Sequence, residues 1–256
     1  MDSLLPYLGL CFAAFAAGAV NAVAGGGTLL TFPALLGVVG SVQANATSTV
    51  ALLPGSLAGA WGYRTELARV RRLTLWLIPP SLVGGYVGAR LVTAFPEQVF
   101  ASVVPWLILA ASVLFLLQKP VARWLKTHPH AVPSGPTLAA VLAFQFLVGV
   151  YGGYFGAGIG ILMLTSLSFM GMGDIHHVNA AKTILAAAMN AVAVLEFVIK
   201  GAVVWRYALP MAAAGILGGY VGARSARRLS PESVRLIVVL VGFSVAAYCF
   251  WQQFSR

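Results

Sequence analysis

Eight long apolar stretches constrain the fold of this 256-residue chain more than any other feature. Each is close to the ~20 residues that a helix needs to cross the hydrocarbon core of a membrane. They cover residues 4–24, 45–63, 73–94, 98–118, 137–157, 178–198, 207–226 and 233–254. Two further stretches, 28–38 and 159–170, have roughly half that length and are expected to re-enter the membrane or to cross it as short helices. The pattern predicts an all-α polytopic membrane protein with eight long helices and two short or re-entrant ones.

The composition excludes the main alternatives to a membrane protein. Charged residues make up only 9% of the chain, against about 25% in an ordinary soluble domain, and hydrophobic residues make up 60%. A soluble enzyme or a disordered chain could not cover its surface with so few charges. The two cysteines, Cys11 and Cys249, match neither a disulfide framework nor a metal-binding spacing. We therefore predict no metal, and no cofactor either, because no strand precedes the glycine clusters as a dinucleotide fingerprint requires.

The two halves of the chain repeat each other. The run Gly-Gly-Tyr-Val-Gly-Ala-Arg occurs at 84–90 and again at 218–224, an offset of 134 that also superposes Asn45 on Asn179. Its glycines are four residues apart, which is a helix-packing spacing. Earlier in each half, glycines match at an offset of 131: Gly18, Gly25 and Gly27 with Gly149, Gly156 and Gly158. These matches predict a first membrane repeat over 1–118, a cytoplasmic linker over 119–136 and a second repeat over 137–256.

The distribution of basic residues favours inverted-topology repeats. If both short stretches cross, the basic loops 64–72, 119–136 and 224–235 share one side, with eleven Lys and Arg against four on the other. If both re-enter, the split is ten against five. Because cytoplasmic loops are enriched in Lys and Arg, the first arrangement is preferred, with these three loops in the cytoplasm. The same rule accounts for the net charge of +10, so nucleic acid is not expected as a partner.

Glycine clusters follow the first long stretch of each half and are candidate binding elements. Glycines at such a junction let a helix break, and the helix N-terminus that follows offers N–H groups and a partial positive charge to an anion. Secondary transporters point such broken helices at a central site between their repeats. Tight helix packing or a simple turn is the alternative explanation. The predicted substrate-binding residues are Asn21, Gly25, Gly26, Gly27 and Thr28 in the first half, and Gly156 and Gly158 in the second.

A second pair of matching segments opens the second long helix of each half. Lys182 is its most informative residue, because a lysine inside a membrane segment is costly and usually faces a cavity. We predict that Lys182 binds the anion; snorkelling of its ammonium to the cytoplasmic interface is the alternative. The predicted binding residues in these segments are Asn45, Thr47 and Ser48, then Asn179, Lys182, Thr183 and Asn190. The two asparagines could instead be simple helix N-caps.

Glu196, near the far end of the same helix, has two interpretations. It could be a proton-coupling carboxylate, or an interfacial residue near Lys200 and Arg206, and the sequence favours the interfacial one. No nucleophile–base pair stands out inside the apolar stretches, because all four histidines lie in or beside predicted loops. We therefore predict no catalytic residues and no enzyme activity.

The signatures of both halves resemble those of a known family. The segment 21–33 (NAVAGGGTLLTFP), followed by 44–48 (ANATS), resembles the first signature of the sulfite exporter TauE/SafE family, also called the toluene sulfonate uptake permease family. Gly156-Ala157-Gly158 and the segment 179–182 (NAAK) resemble the second. The resemblance implies a transporter of sulfur-containing anions such as sulfite, sulfoacetate or other organosulfonates. The second half departs from the first where Lys182 replaces Ser48, which makes a symmetric site doubtful.

Together these features predict a secondary transporter that moves a small sulfur-containing anion across the cytoplasmic (inner) membrane, with its site at the interface of the repeats. An anion channel, or a transport-associated membrane subunit without its own flux, is the alternative. An inside-negative potential favours anion export, worth about 2.3 kcal/mol per charge at 100 mV, whereas uptake would need H⁺ or Na⁺ as the coupling ion. The expected partners are the anion and the lipid bilayer, and a homodimer is compatible with so small a bundle.

Overall fold

The computed structural model describes residues 4–23, 26–127, 135–170, 175–225 and 231–254. The elements over these residues are α-helices throughout, which confirms the all-helical prediction for this part of the chain. Their bounds are α1 (Leu4–Val23), α2 (Thr28–Leu36), α3 (Ser41–Gly62), α4 (Arg64–Ala94), α5 (Glu97–Thr127), α6 (Gly135–Tyr154), α7 (Ile159–Phe169), α8 (Ile175–Ile199), α9 (Trp205–Ser225) and α10 (Pro231–Phe254).

Each of the ten apolar stretches lies largely within one of these helices. By length and hydropathy, six described helices qualify as membrane spans, with apolar segments Leu4–Asn21, Ala68–Ala94, Glu97–Leu117, Gly135–Tyr154, His177–Ile199 and Leu236–Phe254. The chain is thus a multi-pass membrane protein. Helices α3 and α9 are long enough but more polar: α3 places Gln43, Asn45 and Thr47 in its first half, and α9 begins beside Arg206.

The predicted loops are wrong in part, because basic residues continue helices instead of ending them. Residues 64–72 are not a loop: they form the first turns of α4. The predicted linker 119–136 begins inside α5, which runs to Thr127, and its residues 128–134 lie outside the described part of the chain. Of the segment 224–235, the ends belong to α9 and α10 and the middle is not described. Lys and Arg are good helix formers, so a change in polarity did not mark a change in backbone.

Two short helices follow the glycine clusters, as predicted. Helix α2 has 9 residues and α7 has 11, so they are about 13 Å and about 16 Å long, roughly half the hydrocarbon thickness. Gly152, near the end of α6, lies against Ile159 of α7 and Met189 of α8. Because Met189 is near the middle of α8, the turn between α6 and α7 lies beside the middle of a membrane-spanning helix.

The described helices form two compact units that do not follow the sequence halves. Unit 1 comprises Met1–Gly55, Val92–Leu116 and Phe197–Arg256, and unit 2 comprises Ser56–Leu91 and Leu117–Glu196. Unit 1 therefore holds α1, α2 and most of α3 and α5, together with α9 and α10 from the second repeat. Unit 2 combines α4 of the first repeat with α6, α7 and α8 of the second. Each unit is built from elements of both repeats.

The repeated glycine run explains why each unit combines helices of both repeats. In unit 2, a Cβ at Gly84 would collide with the backbone oxygen of Phe146 on α6. In unit 1, a Cβ at Gly218 would collide with the backbone oxygen of Phe15 on α1. Phe15 and Phe146 are themselves related by the 131-residue offset, so the same contact is made twice. Helix α4 thus packs on the first helix of the second repeat, and α9 packs on the first helix of the first.

A second pair of contacts repeats the match at the level of single atoms. Gly149 packs against the backbone oxygen of Ser81 and the backbone nitrogen of Gly85. Gly18 packs against the backbone oxygen of Gly215 and the backbone nitrogen of Gly219, the residues 134 positions further on. Backbones can approach this closely only where the facing residues are glycine or another small residue. Small residues join membrane helices in this way.

Helix directions inside each unit follow from these and other contacts. In unit 2, Gly85 lies against Met189 and Arg90 pairs with Glu196, so α4 and α8 run in the same direction. In unit 1, α5 and α10 run in opposite directions. Trp106 of α5 packs on Phe250 of α10, whereas six residues later Ser112 meets Gly242, eight residues earlier in α10.

The core of unit 2 is apolar apart from one hydrogen-bonded group. Leu77, Met163, Leu185 and Met189 are among its fully buried side chains. Among them, the Nε2 amide of Gln145 donates to Ser81 Oγ at 2.8 Å. Its Oε1 accepts from Ser166 Oγ at 2.6 Å. This amide ties α7 to α6 and α4, and it satisfies polar groups that would be costly unpaired in an apolar core.

Candidate functional site

Lys182, the most informative predicted site residue, lies on α8 against the start of α7. A Cβ added at Gly160 would lie 3.3 Å from Lys182 Cδ and 4.0 Å from its Nζ, so the lysine stem occupies the space beside a residue without a side chain. The side chain is partly buried. Among the described residues, its ammonium makes no hydrogen bond and no ion pair. A membrane-embedded cation that the surrounding helices do not neutralise can attract an anion.

The turn before α7 presents backbone donors on the same side of unit 2 as Lys182. Gly156 and Gly158 have positive φ angles of 77° and 75°, which side-chain-bearing residues rarely adopt, so both glycines are needed for this turn. The Ile161 N–H donates to Gly158 O at 3.0 Å, whereas the Gly160 N–H has no backbone acceptor within the described ranges. The partial positive charge of the α7 N-terminus therefore adds to that of the ammonium.

Tyr151 braces this turn from α6. Its hydroxyl donates to the backbone oxygen of Ala157 at 2.7 Å, between the two left-handed glycines. The contact fixes the turn without using the N–H groups of α7. At this helix start the Ile159 and Ile161 N–H groups donate to Gly156 O and Gly158 O, and the Gly160 N–H is the one without a backbone acceptor in the described ranges.

The equivalent elements in unit 1 bond to each other instead. Asn21 Oδ1 accepts the N–H of Gly27 at 2.7 Å, which caps the start of α2. Gly26, with φ of 94°, packs directly on the ring of Phe115. Ser48, the counterpart of Lys182, shares a 2.6 Å hydrogen bond with Thr31 in a fully buried position. In the turn before α2, a side chain thus accepts the Gly27 N–H and a ring covers Gly26, whereas no such contact is found for the turn before α7 within the described residues.

The asparagine segments do not begin their helices, so the N-cap explanation is wrong for both. Helix α3 starts at Ser41 and α8 at Ile175, which places Asn45 and Asn179 about one turn inside. Each asparagine carbonyl accepts from a threonine four residues on, Asn45 O from Thr49 and Asn179 O from Thr183, both at 2.8 Å.

The remaining predicted site residues have varied surroundings. Thr47 Oγ1 accepts the N–H of Val204 at 3.0 Å, which joins α3 to the start of α9 within unit 1. Thr28 is the first residue of α2, beside the capped glycine. Asn190 is partly buried and lies about 80° around α8 from Lys182. Gly25 lies outside the described residues. For all these residues, substrate binding stays a prediction.

Glu196 lies in the last turn of α8, and its interfacial interpretation stays a prediction. Its side chain is only 5% exposed, and its Oε1 accepts from the Arg90 guanidinium at 3.3 Å. This partner is a residue of α4 in the repeated glycine run. Arg90 lies inside the predicted stretch 73–94, and α4 ends at Ala94.

Sequence reasoning missed three residues that the structure brings to the site elements. Thr31 was passed over although it lies in the resembling segment 21–33, because a threonine in an apolar helix carries no charge signal. Gly160 was quoted within its cluster but not selected, since its role depends on the Lys182 side chain that crosses it. Arg90 could have been found only from the contact between α4 and α8.

A broken-helix bundle with a membrane-embedded lysine at a helix N-terminus defines a membrane protein of the transporter class. Residues 10–249 match the family described as sulfite exporter TauE/SafE. The chain belongs to this family, a family of membrane transporters, as the resemblance implied.

Similar curated proteins cover almost the whole chain. A probable membrane transporter protein, ORF9, of a Sinorhizobium species is 31% identical over 241 residues, 93% of this chain and 89% of its own length. A probable membrane transporter protein of Haemophilus influenzae is 27% identical, with 99% of this chain and 98% of that protein aligned. The probable membrane transporter protein YfcA of Escherichia coli is 26% identical over 96% of this chain and 90% of its own.

Proposed function

We propose that this protein is a secondary transporter that carries a small sulfur-containing anion, sulfite or an organosulfonate such as sulfoacetate, across the cytoplasmic membrane. One observation carries the proposal: within the described residues the Lys182 ammonium has no hydrogen bond or ion pair, and its stem lies beside Gly160 at the N-terminus of α7. The two groups supply positive charge and N–H donors, and a sulfonate or sulfite offers a negative charge with several acceptor oxygens.

The elements of the two repeats serve this function unequally. In the turn before α2, Asn21 accepts the Gly27 N–H and the ring of Phe115 covers Gly26. The start of α7 binds the charged group of the anion.

Helix directions support an inverted five-plus-five topology. If the chain reverses at every helix from α1 to α10, α4 and α8 run the same way and α5 and α10 run oppositely, as their contacts indicate. If α2 and α7 did not reverse the chain, both relations would be the other way round. With basic segments in the cytoplasm, the ends of α4 and α8 that carry Arg90 and Glu196 face outward.

The test begins with binding, because no particular anion is assumed. Thermal unfolding of the purified protein is measured with sulfite, sulfate, thiosulfate, sulfoacetate, taurine and carboxylate analogues. A ligand of the native state raises the apparent melting temperature by mass action. We expect a selective shift with sulfite or a sulfonate. A shift with carboxylates of equal size, or with none of the compounds, would contradict the proposed substrate class.

Counterflow in proteoliposomes separates a transporter from a channel. Vesicles loaded with unlabelled substrate should accumulate labelled substrate transiently, because a carrier returns loaded. A channel or a subunit without flux would give no such overshoot. The alternative function is therefore excluded or adopted by one measurement on the same preparation.

A further inference from the structure

We propose that Glu196 is the proton-binding group that couples this transporter to H⁺, and that Arg90, released when Glu196 takes up a proton, holds the oxyanion of the arriving substrate. The inference rests on the proposed anion transport. It adds a second, outward-facing site, distinct from the start of α7, whose ligands are a proton and an oxyanion.

Glu196 is singled out by position among all acidic residues. The chain has six Asp and Glu. Asp2 and Asp174 lie outside the described residues, and Glu66, Glu97 and Glu232 lie in the first turn of their helices. Glu196 lies in the last turn of the described span His177–Ile199, and among the described acidic side chains it is the buried one, at 5% exposure. An acid retained within a membrane helix usually marks a proton or ion pathway.

The ion pair is unevenly exposed, which is what a proton site at a membrane surface requires. The Arg90 side chain is 44% exposed, while its Glu196 partner is buried beneath it. Arg90 has five N–H donors in a planar fork, a geometry that suits an oxyanion as well as a carboxylate. An anion approaching from water therefore meets Arg90 first.

Several titratable groups lie on the helices of unit 2 at this end of α8. On α4, the titratable groups at this end are Arg90 and Tyr86; on α6 they are Tyr151 and Tyr154. Helix α7 has no titratable side chain, and Lys200 follows on the exposed end of α8. Arg90 is the one charged side chain on α4, α6 or α7 for which the described structure shows an ion pair with Glu196.

One face of α8 connects this pair to the lysine. Lys182, Met189 and Glu196 are spaced by seven residues, so they lie within about 40° of each other around the helix and span about 21 Å along it. All three contact other helices of unit 2: Lys182 beside Gly160, Met189 beside Gly85 and Glu196 with Arg90. A displacement of α8 at one end therefore also changes the helix contacts at its other end.

The proton step balances without any change to the substrate. A proton from the outer aqueous phase bonds to a Glu196 carboxylate oxygen, and the Arg90–Glu196 pair is replaced by an Arg90–oxyanion pair. No covalent bond of the anion forms or breaks. The proton cancels one negative charge of the substrate, so an inside-negative potential opposes inward movement less. Glu196 thereby supplies the carboxylate that H⁺-coupled uptake of the anion would need.

The experiment measures sulfoacetate exchange and lumen pH in proteoliposomes with an enclosed pH-sensitive dye. In the wild type, external sulfoacetate should acidify the lumen as it enters. Glu196→Gln mimics the protonated acid, so exchange should stay within about twofold while acidification falls about tenfold or more. Glu97→Gln is the matched control. Glu97 is the first residue of α5 and accepts a hydrogen bond from Ser41, so its substitution should leave both readouts unchanged.

Arg90→Gln tests the oxyanion role. We expect the KM for sulfoacetate to rise about tenfold or more. Because this variant leaves a buried carboxylate without its partner, the double variant Arg90→Gln/Glu196→Gln removes both charges and guards against a folding defect. It should fold, and it should also show the raised KM.

Each other outcome has a distinct meaning. Wild-type exchange of sulfoacetate without acidification would overturn the coupling site and leave anion transport standing. Loss of exchange in Glu196→Gln, restored in the double variant, would make the pair purely structural and overturn the inference. If the wild type neither binds nor exchanges sulfoacetate while the purified protein remains folded, the proposed substrate class and the coupling site both fail.

Discussion

At the scale of the residue, Lys182 decides whether the second repeat binds an anion. Lys182→Ala should weaken binding of the stabilising anion by about tenfold or more, which corresponds to about 1.4 kcal/mol, because it removes the one embedded cation of the site. The melting temperature without ligand should not fall, since no described group pairs with the ammonium. Isothermal titration of the purified variant checks this.

The control for that change is Lys200→Ala, which removes a lysine from the exposed turn after α8. It should bind as the wild type does. Equal affinities in all three proteins would exclude Lys182 from the site and point back to the snorkelling explanation.

Gly160 is a positioning residue for the same lysine. In Gly160→Ala, the new Cβ would lie 3.3 Å from Lys182 Cδ, so the lysine stem must move by a few tenths of an ångström. We expect a loss of anion affinity smaller than that of Lys182→Ala, about threefold, with little change in melting temperature. The control is Gly55→Ala, where a Cβ meets nothing within 4 Å. An unchanged affinity in Gly160→Ala would mean that the ammonium does not touch the ligand.

What could be predicted of the site was its chemistry, not its contacts. Lys182 stood out because a charge in an apolar stretch is visible in sequence, and the glycines because they interrupt such stretches. Glu196 was equally visible, but its partner lies 106 residues away, and a pattern along one helix cannot show which residue of another helix meets it. Thr31 and Ser48 likewise form their hydrogen bond only because α2 folds back beside α3.

At the scale of the element, the repeated glycine run should be equally important in both units. Gly84→Ala and Gly218→Ala each direct a Cβ at a backbone oxygen of the neighbouring helix, Phe146 and Phe15 respectively. Because backbone cannot be displaced cheaply, each should lose about 1–3 kcal/mol of stability. Melting temperature in detergent measures the loss.

A matched control for this pair is Gly9→Ala, where no atom lies within 4 Å of the new Cβ. It should be neutral or slightly stabilising, because alanine is the better helix former. A large loss in only one of the two glycine variants would argue against equivalent packing in the two repeats.

The sequence predicted the helices well and their partners poorly. Apolar length identified each element, and the four-residue spacing of glycines identified a packing surface. The spacing does not say which helix approaches, so the exchange of α4 and α9 between repeats could not be read from it. The prediction of a loop at 64–72 is wrong for a related reason. Charge there marks the end of an apolar segment, not the end of a helix.

At the scale of the whole molecule, the proposed inverted topology predicts which ends are reachable from outside the cell. In a background with Cys11→Ala and Cys249→Ala, Gly201→Cys should react with a membrane-impermeant maleimide on intact cells, because Gly201 follows α8 at an exposed turn. Lys126→Cys, near the end of α5, should react only after the cells are permeabilised. Labelling of both from outside would contradict the proposed orientation.

The exchange of helices also governs how the chain can be assembled as it is made. Helix α1 is synthesised first, yet the helix whose glycines fit against it begins only at Trp205. Helix α4 likewise lacks its packing partner until α6 has been inserted into the bilayer. The glycine run of each repeat therefore stays unpacked until the partner helix of the other repeat has been synthesised. Translation of nearly the whole protein therefore precedes its close packing, and a chain halted after the first repeat would leave two helices open to quality-control proteases.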